Sequence, residues 1–427
     1  MKRRVKRIAY NRRRDNQTVF DRFRERYLDR YYPDCRQAEL SFRHDLKKLS
    51  ANFSKLFFFQ YSLFSEYRFH KSIYRSIRIL TEKAGVEDRI RQASLNGTLF
   101  YLPNHQAHID SLVVSWLASN LGVPQPLFCA WSTLAKRRSA YLMPMVNACL
   151  LNREIMDHRF RSADPFRNTR KYRVGYKILL NEYLNHMLAG GVDTLVYPEA
   201  TRSYSGAVGE ARIKGIFKGA RMVQQELGAG KSITVVPVSI SYSLVPEAEQ
   251  LIHSHYTGSV MPPSSLFHDF TFAEQVYRTF RPDYQTKTCF PFIKAFSEYH
   301  VPIFCVAGDP ISLKDHPETT LEACFEAVKR NLKILPHYFM ARLLLSDPPG
   351  HARQWTQSGI EGLMKPAQQL RDTLKSANLD EAFSDDAGLA DIISIGMEFL
   401  KNGGYISADA QIVNKPVIEY YSNKLLL

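Results

Sequence analysis

The sequence lacks the features that would mark a membrane-spanning or secreted protein. None of its 427 residues belong to an apolar run of about 18, so no transmembrane helix is predicted. The basic N-terminal stretch is followed by no apolar segment, so we predict no export signal and expect the chain to stay in the cytoplasm. The six cysteines form no CxxC pair and lie in apolar segments, which indicates reduced thiols in a core.

Signatures of several enzyme classes are absent as well. The motifs GxSxG, HExxH and GxGxxG do not occur, which removes the usual support for a serine hydrolase, a zinc protease and a dinucleotide-binding enzyme. The stretch GAGKS at residues 228–232 resembles the end of a phosphate-binding loop, but Gln225 occupies the position of its first glycine. A strand-like segment follows it instead of a helix, so we interpret GAGKS as a turn.

Acidic residues are few relative to basic ones. Lys and Arg number 57 against 42 Asp and Glu, for a formal net charge of +15, and eight of the basic residues lie between Lys2 and Arg14. Such a run is either a solvated tail or an electrostatic attachment to anionic lipid, an acidic protein or nucleic acid. No nucleic-acid-binding motif accompanies it, so we expect no nucleic-acid partner.

The pattern along the chain predicts four regions. Residues 1–14 form a basic tail, and residues 15–95, with many aromatics and few Gly or Pro, are predicted to be a helical N-terminal region. Short β-rich runs alternate with helical stretches over 96–315, which predicts an α/β domain with a mixed β-sheet flanked by helices. Residues 316–427 are predicted to be a helical C-terminal region.

Two segments within this plan stand out by composition. The aromatic segment at 56–69 is either a helix buried between others or an amphipathic helix in a membrane interface. The proline-punctuated segment at 245–300 reads as an insertion or a long excursion.

Polar clusters follow the apolar runs, at the expected ends of strands, where ligands of open α/β sheets gather. In the first cluster, NHQAHID, the pair His105 and His108 could bind a metal together with Asp110. Alternatively, a histidine could cap a turn while Asp110 starts a helix, or a histidine could transfer a proton. Three potential ligands crowded into six residues are a weak metal signal. Proton transfer is favoured, because a strand-end loop exposes an imidazole while a carboxylate fixes its tautomer.

The later clusters offer groups for an anion. In YPEATRSYSG, Arg202 beside Ser and Thr hydroxyls suits a phosphate oxyanion, although a surface pair of Glu199 with Arg202 is the plainer interpretation. Arg153, after another apolar run, is weakly informative alone. Pro237 interrupts a β-rich run, which predicts an edge strand, a bulge or a strand start.

Taken in this order, the four blocks resemble the glycerolipid acyltransferase superfamily. Its marks are NHxxxxD, an arginine block, a P-E-G-T-R-S-like block and a V-P-V/I-like strand, and the match runs from about Leu99 to Tyr242. The segments VDTLVYPEATRSYSG, LKILPHYFMARLLL and IEYYSNKLLL look most like the glycerol-3-phosphate and dihydroxyacetone-phosphate acyltransferase branch. The fold implied is a glycerol-3-phosphate acyltransferase-like α/β fold.

The resemblance implies transfer of an acyl chain from acyl-CoA or acyl carrier protein to the sn-1 hydroxyl of glycerol-3-phosphate. The product would be lysophosphatidic acid for phospholipid synthesis, and neither cofactor nor metal is expected. Alternatives are acylation of lysophosphatidic acid or dihydroxyacetone phosphate, or a catalytically silent lipid-binding relative. Because the substrates are amphiphilic, we expect peripheral binding to anionic lipids on the cytoplasmic side of the cell membrane.

The resemblance also implies roles for individual residues. His105 matches the general base and Asp110 the carboxylate that orients it, whereas His108 matches no family position. Four residues of the second and third blocks are expected to bind the acceptor's phosphate, namely Arg153, Glu199, Arg202 and Ser203. Pro237 falls on the acyl-donor side. Backbone N–H groups after the NHQAH turn are expected to stabilise the oxyanion.

The sequence departs from the family pattern at three places. Asn147 and Ala200 stand where the family usually has glycine, and an extra side chain there could narrow the site or change acceptor preference. The chain also stops soon after Tyr421, where many long bacterial members continue, so a short or divergent member is expected.

Overall fold

The structure is a computed structural model. It describes residues 12–51, 77–132, 144, 147–156, 161–228, 230–245, 247–258, 302–346, 361–374 and 388–426. Most of the basic tail, the aromatic segment at 56–69 and most of the segment predicted as an excursion lie outside the described residues. Within them, no helix is both long enough and apolar enough to cross a bilayer.

The structure consists of helices packed on one β-sheet. The helices are α1 (Arg12–Phe23), α2 (Arg36–Leu49), α3 (Val86–Asn96), α4 (Asp110–Leu121), α5 (Arg153–Met156), α6 (Arg170–Ala189), α7 (Lys214–Leu227), α8 (Ala248–Thr257), α9 (Leu321–Arg330), α10 (Pro336–Ser346), α11 (Glu361–Thr373), α12 (Leu389–Asn402) and α13 (Lys415–Ser422). A π-helical turn at Arg24–Leu28 and the helical residues Asp29–Tyr31 continue α1, and 3-10 turns occupy Pro165–Asn168 and Asn423–Leu425.

The sheet has eight strands and is mixed. They are β1 (Ile77–Thr81), β2 (Gly97–Pro103), β3 (Leu127–Trp131), β4 (Ala148–Leu151), β5 (Thr194–Leu195), β6 (Ser232–Tyr242), β7 (Ile303–Ala307) and β8 (Ile311–Ser312). Their order is β1-β7-β6-β2-β5-β3-β4, with β8 also on β6. Strands β2 to β6 run parallel, whereas β7 is antiparallel to β6. The predicted α/β class and mixed sheet are confirmed.

One part of the predicted organisation is wrong. The region 15–95 is not wholly helical, because β1 belongs to the sheet and pairs in parallel with β7, Ile77 lying opposite Ile303. A five-residue strand whose partner lies so far along the chain leaves little local trace in a sequence rich in helix-forming residues. In the described residues of 316–427 the chain forms the helices α9 to α13.

Helices cover both faces of the sheet. In β2 every residue is buried, with Leu99 and Tyr101 in one core and Phe100 and Leu102 in the other. A strand buried on both faces reads as a continuous apolar run, which is why TLFYLP shows no alternation. The first core receives α3, α4, α8 and α10 to α13, and the second receives α1, α2, α6, α7 and α9.

Pro237 does not fit its prediction, because β6 is a central strand. Its one side pairs with β2 throughout residues 232–238. Its other side pairs with β8 at residues 234–235 and with β7 from Val238 onward. Pro237 lies in the gap between β8 and β7, where its missing N–H costs little, and its carbonyl accepts the N–H of Gly308 at 2.8 Å.

The cysteines of the described residues are free. Cys149, Cys305 and Cys324 are buried, and Cys35 and Cys129 are partly exposed. The prediction of core thiols is confirmed for the three buried ones. Cys289 lies outside the described residues.

Candidate active site

The loop that follows β2 is fixed to the neighbouring strand before it reaches His105. Asn104 is fully buried, its side-chain N–H donating to the carbonyl of Ile240 at 2.9 Å and its oxygen accepting the N–H of Ile240 at 2.7 Å. Both amide groups are therefore satisfied by one residue of β6. This clamp sets the direction in which the chain leaves the sheet.

His105 and Asp110 form a hydrogen-bonded pair across this loop. His105 Nδ1 lies 2.9 Å from Asp110 Oδ2, and the same oxygen accepts the N–H groups of Gln106 at 2.7 Å and Ala107 at 2.9 Å. The loop folds back so that the first residue of α4 lies beneath its own preceding turn. A carboxylate bound to Nδ1–H leaves Nε2 as the proton acceptor, which is the tautomer a general base needs.

The other oxygen of Asp110 is bound by a residue that the sequence did not indicate. Tyr242, at the end of β6, donates its hydroxyl to Asp110 Oδ1 at 2.5 Å. Burial raises the pKa of Tyr242 well above its ordinary value, and the nearby Asp110 adds to the effect, so the hydroxyl stays protonated. A tyrosine at the end of an apolar strand is a weak signal, since most such residues only fill the core.

The imidazole ring is held on one face. It stacks on Tyr197, with ring centroids 3.8 Å apart and an angle of 14° between the planes. The Tyr197 hydroxyl shares a hydrogen bond of 2.7 Å with Ser111, on α4. The His105 side chain is 16% exposed, whereas Asp110 is fully buried. The imidazole is thus fixed in orientation yet partly exposed.

The electrostatics keep His105 neutral. Burial lowers the pKa of its imidazole below the ordinary value, and the Arg202 charge acts in the same direction. The hydrogen bond and charge of Asp110 oppose this. A histidine with a lowered pKa has lost its proton at neutral pH and can accept one from a bound hydroxyl.

Glu199 joins the third block to the first. Its carboxylate accepts the N–H of His105 at 2.6 Å and the N–H of Gly209 at 2.8 Å, and the side chain is buried. Burial raises the pKa of Glu199 to about 7, while the two N–H bonds act in the opposite direction. The carbonyl of His105 accepts the N–H of Ser203 at 2.9 Å. Both backbone groups of His105 are therefore bound to the third block.

Arg202 and Ser203 lie on the same loop. Arg202 Nη1 lies 3.8 Å from Glu247 Oε1, and the Arg202 side chain is 18% exposed. This Nη1 atom is buried and has no hydrogen-bond partner among the described residues. Ser203 donates its hydroxyl to the carbonyl of Ala207 at 2.5 Å. Arg202 thus offers a cation beside the base, whereas the Ser203 proton serves the loop.

The predicted site residues Arg153 and Pro237 lie on α5 and β6. Arg153 begins α5, two residues after the end of β4, and its side chain is not among those described. Pro237 alternates with Val236 and Val238, which face the first core, so it faces the second core. Tyr242 and Tyr197 face the first.

The backbone N–H groups from Gln106 to His108, within the NHQAH turn, are bound to carboxylates, and the oxyanion donors expected after this turn stay a prediction. The N–H groups of Gln106 and Ala107 bind Asp110, and the N–H of His108 donates to Glu247 Oε1 at 2.9 Å. These three backbone donors after His105 are occupied by carboxylates, which hold the loop in shape.

Both positions that depart from the family's glycine keep a glycine-type backbone. Asn147 has φ of 73° and Ala200 has φ of 60°, in the left-handed region. Asparagine tolerates this region better than most residues, whereas alanine is strained there by about 1–2 kcal/mol. The pattern of the blocks is therefore preserved in the backbone even where the side chain differs.

We predict that Ala200→Gly stabilises the protein by about 0.5–1 kcal/mol. Relief of the left-handed alanine exceeds the entropy that glycine adds to the unfolded chain. The free energy of unfolding in urea measures the change. The matched control is Ala93→Gly in the interior of α3, where the same substitution should destabilise by about 0.5–1 kcal/mol. A loss of stability in Ala200→Gly would contradict the account of this turn.

We predict that Asp110→Asn lowers the pKa of His105 further, because the carboxylate favours the imidazolium and a neutral amide does not. A titration of the histidine ring protons by NMR measures it, with the His105 signal assigned from the spectrum of His105→Gln. The ring-proton signals of His316, which is largely exposed, are the internal control and should be the same in both proteins. An unchanged or raised His105 pKa would show that Asp110 does not act on this ring.

Comparison with known proteins agrees with the geometry. Residues 83–241 match the family model described as Acyltransferase. A glycerol-3-phosphate acyltransferase from Baumannia cicadellinicola is 26% identical over 182 residues, which is 42% of this chain and 20% of that protein. A probable mitochondrial glycerol-3-phosphate acyltransferase from Caenorhabditis elegans is 25% identical over 149 residues, 35% of this chain and 19% of that protein.

The chain spans about a fifth of the length of the curated relatives it matches. Among solved structures, the 1-acyl-sn-glycerophosphate acyltransferase PlsC from Thermotoga maritima aligns with a TM-score of 0.31 and 14% identity, covering 74% of this chain and 93% of that one. The matched residues 83–241 contain β2 to β5, all of β6 except Tyr242, and the V-P-V residues of the fourth block as well as the first three blocks. Residues 83–241 of this chain are therefore similar to the Acyltransferase family.

Proposed function

We propose that this chain transfers a fatty acyl group from an acyl thioester to the sn-1 hydroxyl of glycerol-3-phosphate. The observation that carries the proposal is the neutral His105, bound through Nδ1 to the buried Asp110 and partly exposed beside Arg202. Its base and its cation suit an acceptor that carries both a hydroxyl and a phosphate. The names of the relatives support glycerol-3-phosphate as that acceptor.

The chemistry needs one proton transfer in each direction. His105 Nε2 takes the proton of the acceptor hydroxyl as its oxygen attacks the thioester carbonyl carbon. The tetrahedral intermediate collapses, the carbon–sulfur bond breaks, and the imidazolium returns the proton to the departing thiolate. An ester and a free thiol result, and no side chain has to form an acyl intermediate. Asp110 stabilises the imidazolium while it exists.

Arg202 is proposed to hold the phosphate of the acceptor. Its guanidinium lies near Glu247, which neutralises part of the charge and orients the group without a close hydrogen bond. A phosphate offers the shorter, charge-assisted bonds that Arg202 Nη1 does not make among the described residues. Holding the phosphate brings the hydroxyl to the base and makes the reaction effectively unimolecular.

The other residues of the second and third blocks take different parts. Both oxygens of Glu199 accept backbone N–H groups, so we assign this residue to loop positioning and not to phosphate contact. Ser203 contributes its backbone N–H to the His105 carbonyl. Arg153 remains a proposed second cation, and Pro237 a proposed residue of the acyl-donor side.

Membrane attachment is part of the proposal. The concentration of basic residues between Lys2 and Arg14 suits anionic lipid on the cytoplasmic side of the membrane, where a product with one acyl chain would be delivered. Either acyl-CoA or acyl carrier protein would serve as donor, since the chemistry at the thioester carbonyl is the same.

Release of free thiol from palmitoyl-CoA tests the reaction. We expect release by the purified protein only when glycerol-3-phosphate is present, and a loss of about 10²- to 10⁴-fold in His105→Ala with little change in KM. His316→Ala, at an exposed histidine, is the control and should keep full activity.

Parallel reactions distinguish the alternatives. Release with dihydroxyacetone phosphate or lysophosphatidic acid but not glycerol-3-phosphate would replace the acceptor, and release only from acyl carrier protein would fix the donor. No release with any pair would indicate a silent lipid-binding relative. Release that persists in His105→Ala would refute the mechanism.

Arg202→Gln tests the phosphate contact. Loss of a charge-assisted bond should raise KM for glycerol-3-phosphate roughly 10- to 100-fold. KM for palmitoyl-CoA should stay within about twofold, because the donor's thioester does not contact this cation in the proposal. Arg36→Gln, exposed at the start of α2, is the matched control. An unchanged KM for glycerol-3-phosphate would remove Arg202 from this role.

A further inference from the structure

A lysine near the C-terminal end of the described residues contacts the loop at residues 104–109, here called the histidine loop. Lys424 lies in the 3-10 turn that follows α13 and is buried. Its ammonium donates to the side-chain oxygen of Gln106, the residue next to the base. It also lies 3.5 Å from the Tyr420 hydroxyl and 4.7 Å from the centre of the Tyr420 ring. No pattern in the amino-acid sequence indicates a role for Lys424.

The segment that carries Lys424 is fitted closely to the third block. Gly206 has φ of 92°, and a side-chain carbon there would lie 2.0 Å from the Tyr420 carbonyl oxygen, so only glycine allows the approach. Asn423 donates its side-chain N–H to the carbonyl of Ser205 at 3.0 Å. The 3-10 turn that carries Lys424 therefore contacts two loops, the third block at residues 199–209 and the loop at residues 104–109.

Burial and two nearby carboxylates act on the pKa of Lys424 in opposite directions. Burial lowers the pKa of Lys424 to about 7, and the carboxylates of Glu199 and Asp110 act in the opposite direction. From α10, His337 faces the same region, and burial, with the Lys424 charge next, lowers the pKa of His337 to about 3. His337 is thus neutral. The charges that bear on the lysine are the two carboxylates of the active site.

Lys424 and Glu199 each affect the pKa of the other. Lys424 lowers the pKa of Glu199, opposing the burial that raises it. Ionised Glu199 accepts the N–H groups of His105 and Gly209 with both oxygens. A protonated carboxyl would turn an O–H toward one of these donors, and that bond would be lost. An unpaired buried ammonium is costly, so a lysine that only filled space here would be a poor choice compared with an apolar side chain.

We propose that Lys424 is a positioning residue of the acyl-transfer site: its ammonium, anchored on Gln106, holds Glu199 in the form that binds the backbone of the histidine loop. The inference about turnover rests on the proposed function. The inference about loop positioning does not.

The kinetic test compares Lys424→Met with Lys424→Arg. Removing the positive charge raises the Glu199 pKa, so the ionised carboxylate is reached only at higher pH. We expect Lys424→Met to lower kcat about tenfold or more at neutral pH, to shift the acid limb of the kcat profile upward, and to leave both KM values within about twofold. Lys424→Arg should restore most of the activity and the wild-type limb. Lys401→Met, exposed at the end of α12, is the matched control.

A second measurement needs no activity. At neutral pH, amide hydrogen exchange over residues 104–110 and 199–209 should be faster in Lys424→Met than in the wild type, in Lys424→Arg or in Lys401→Met. If Lys424→Met does not fold, Glu199→Gln supplies the test, because it should loosen the same two segments with Lys424 intact.

The outcomes separate the two ideas. A wild-type protein without thiol release would refute the proposed function, while the exchange measurement would still decide on Lys424. Unchanged exchange in both loops, or a Lys424→Met variant with wild-type kcat and acid limb, would overturn the positioning role. Failure of Lys424→Arg to restore the limb would also overturn it, because charge would not be the property that matters.

Discussion

The arrangement of the site depends on one buried carboxylate. Asp110 lies under the loop and collects His105 Nδ1–H, two backbone N–H groups and the Tyr242 hydroxyl, so every donor around it points inward. A carboxylate in an apolar layer is stable only when its lone pairs are filled in this way. Any change in the shape of the loop would remove hydrogen-bond donors from the buried Asp110 carboxylate. The rigidity of the base therefore follows from the cost of leaving Asp110 unsatisfied.

The first and third blocks are bound as one unit by the same logic. Glu199 accepts the N–H of His105, and the His105 carbonyl accepts the N–H of Ser203. Strands β2 and β5 are neighbours, so their following loops emerge side by side at one edge of the sheet. Parallel pairing thus gathers groups that lie about 100 positions apart in the sequence. Individual hydrogen bonds, from His105 N–H to Glu199 and from Ser203 N–H to the His105 carbonyl, then hold the two loops together.

The sequence indicated the strands, the strand-end clusters and the His105–Asp110 pair, because each depends on short-range pattern: apolar runs, and a histidine and carboxylate five residues apart. It did not indicate Tyr242 or Lys424, whose importance arises from positions 132 and 318 residues away from their partners. It missed β1 for the same reason. The expectation of an edge strand, a bulge or a strand start at Pro237 missed the gap between β8 and β7, because that gap is a property of the assembled sheet.

Strand β1 has consequences for how the chain comes to be folded in a cell. Its partner in the sheet is β7, and 226 positions separate Ile77 from Ile303. At about 5–20 residues per second, a ribosome needs roughly 10–45 s to make the intervening chain. For that interval the newly made strand has its hydrogen-bonding edge unfilled, while β2 to β6 can already associate. Exposed Arg78, the second residue of β1, gives the unpaired strand a charge of the kind that discourages pairing with other nascent chains.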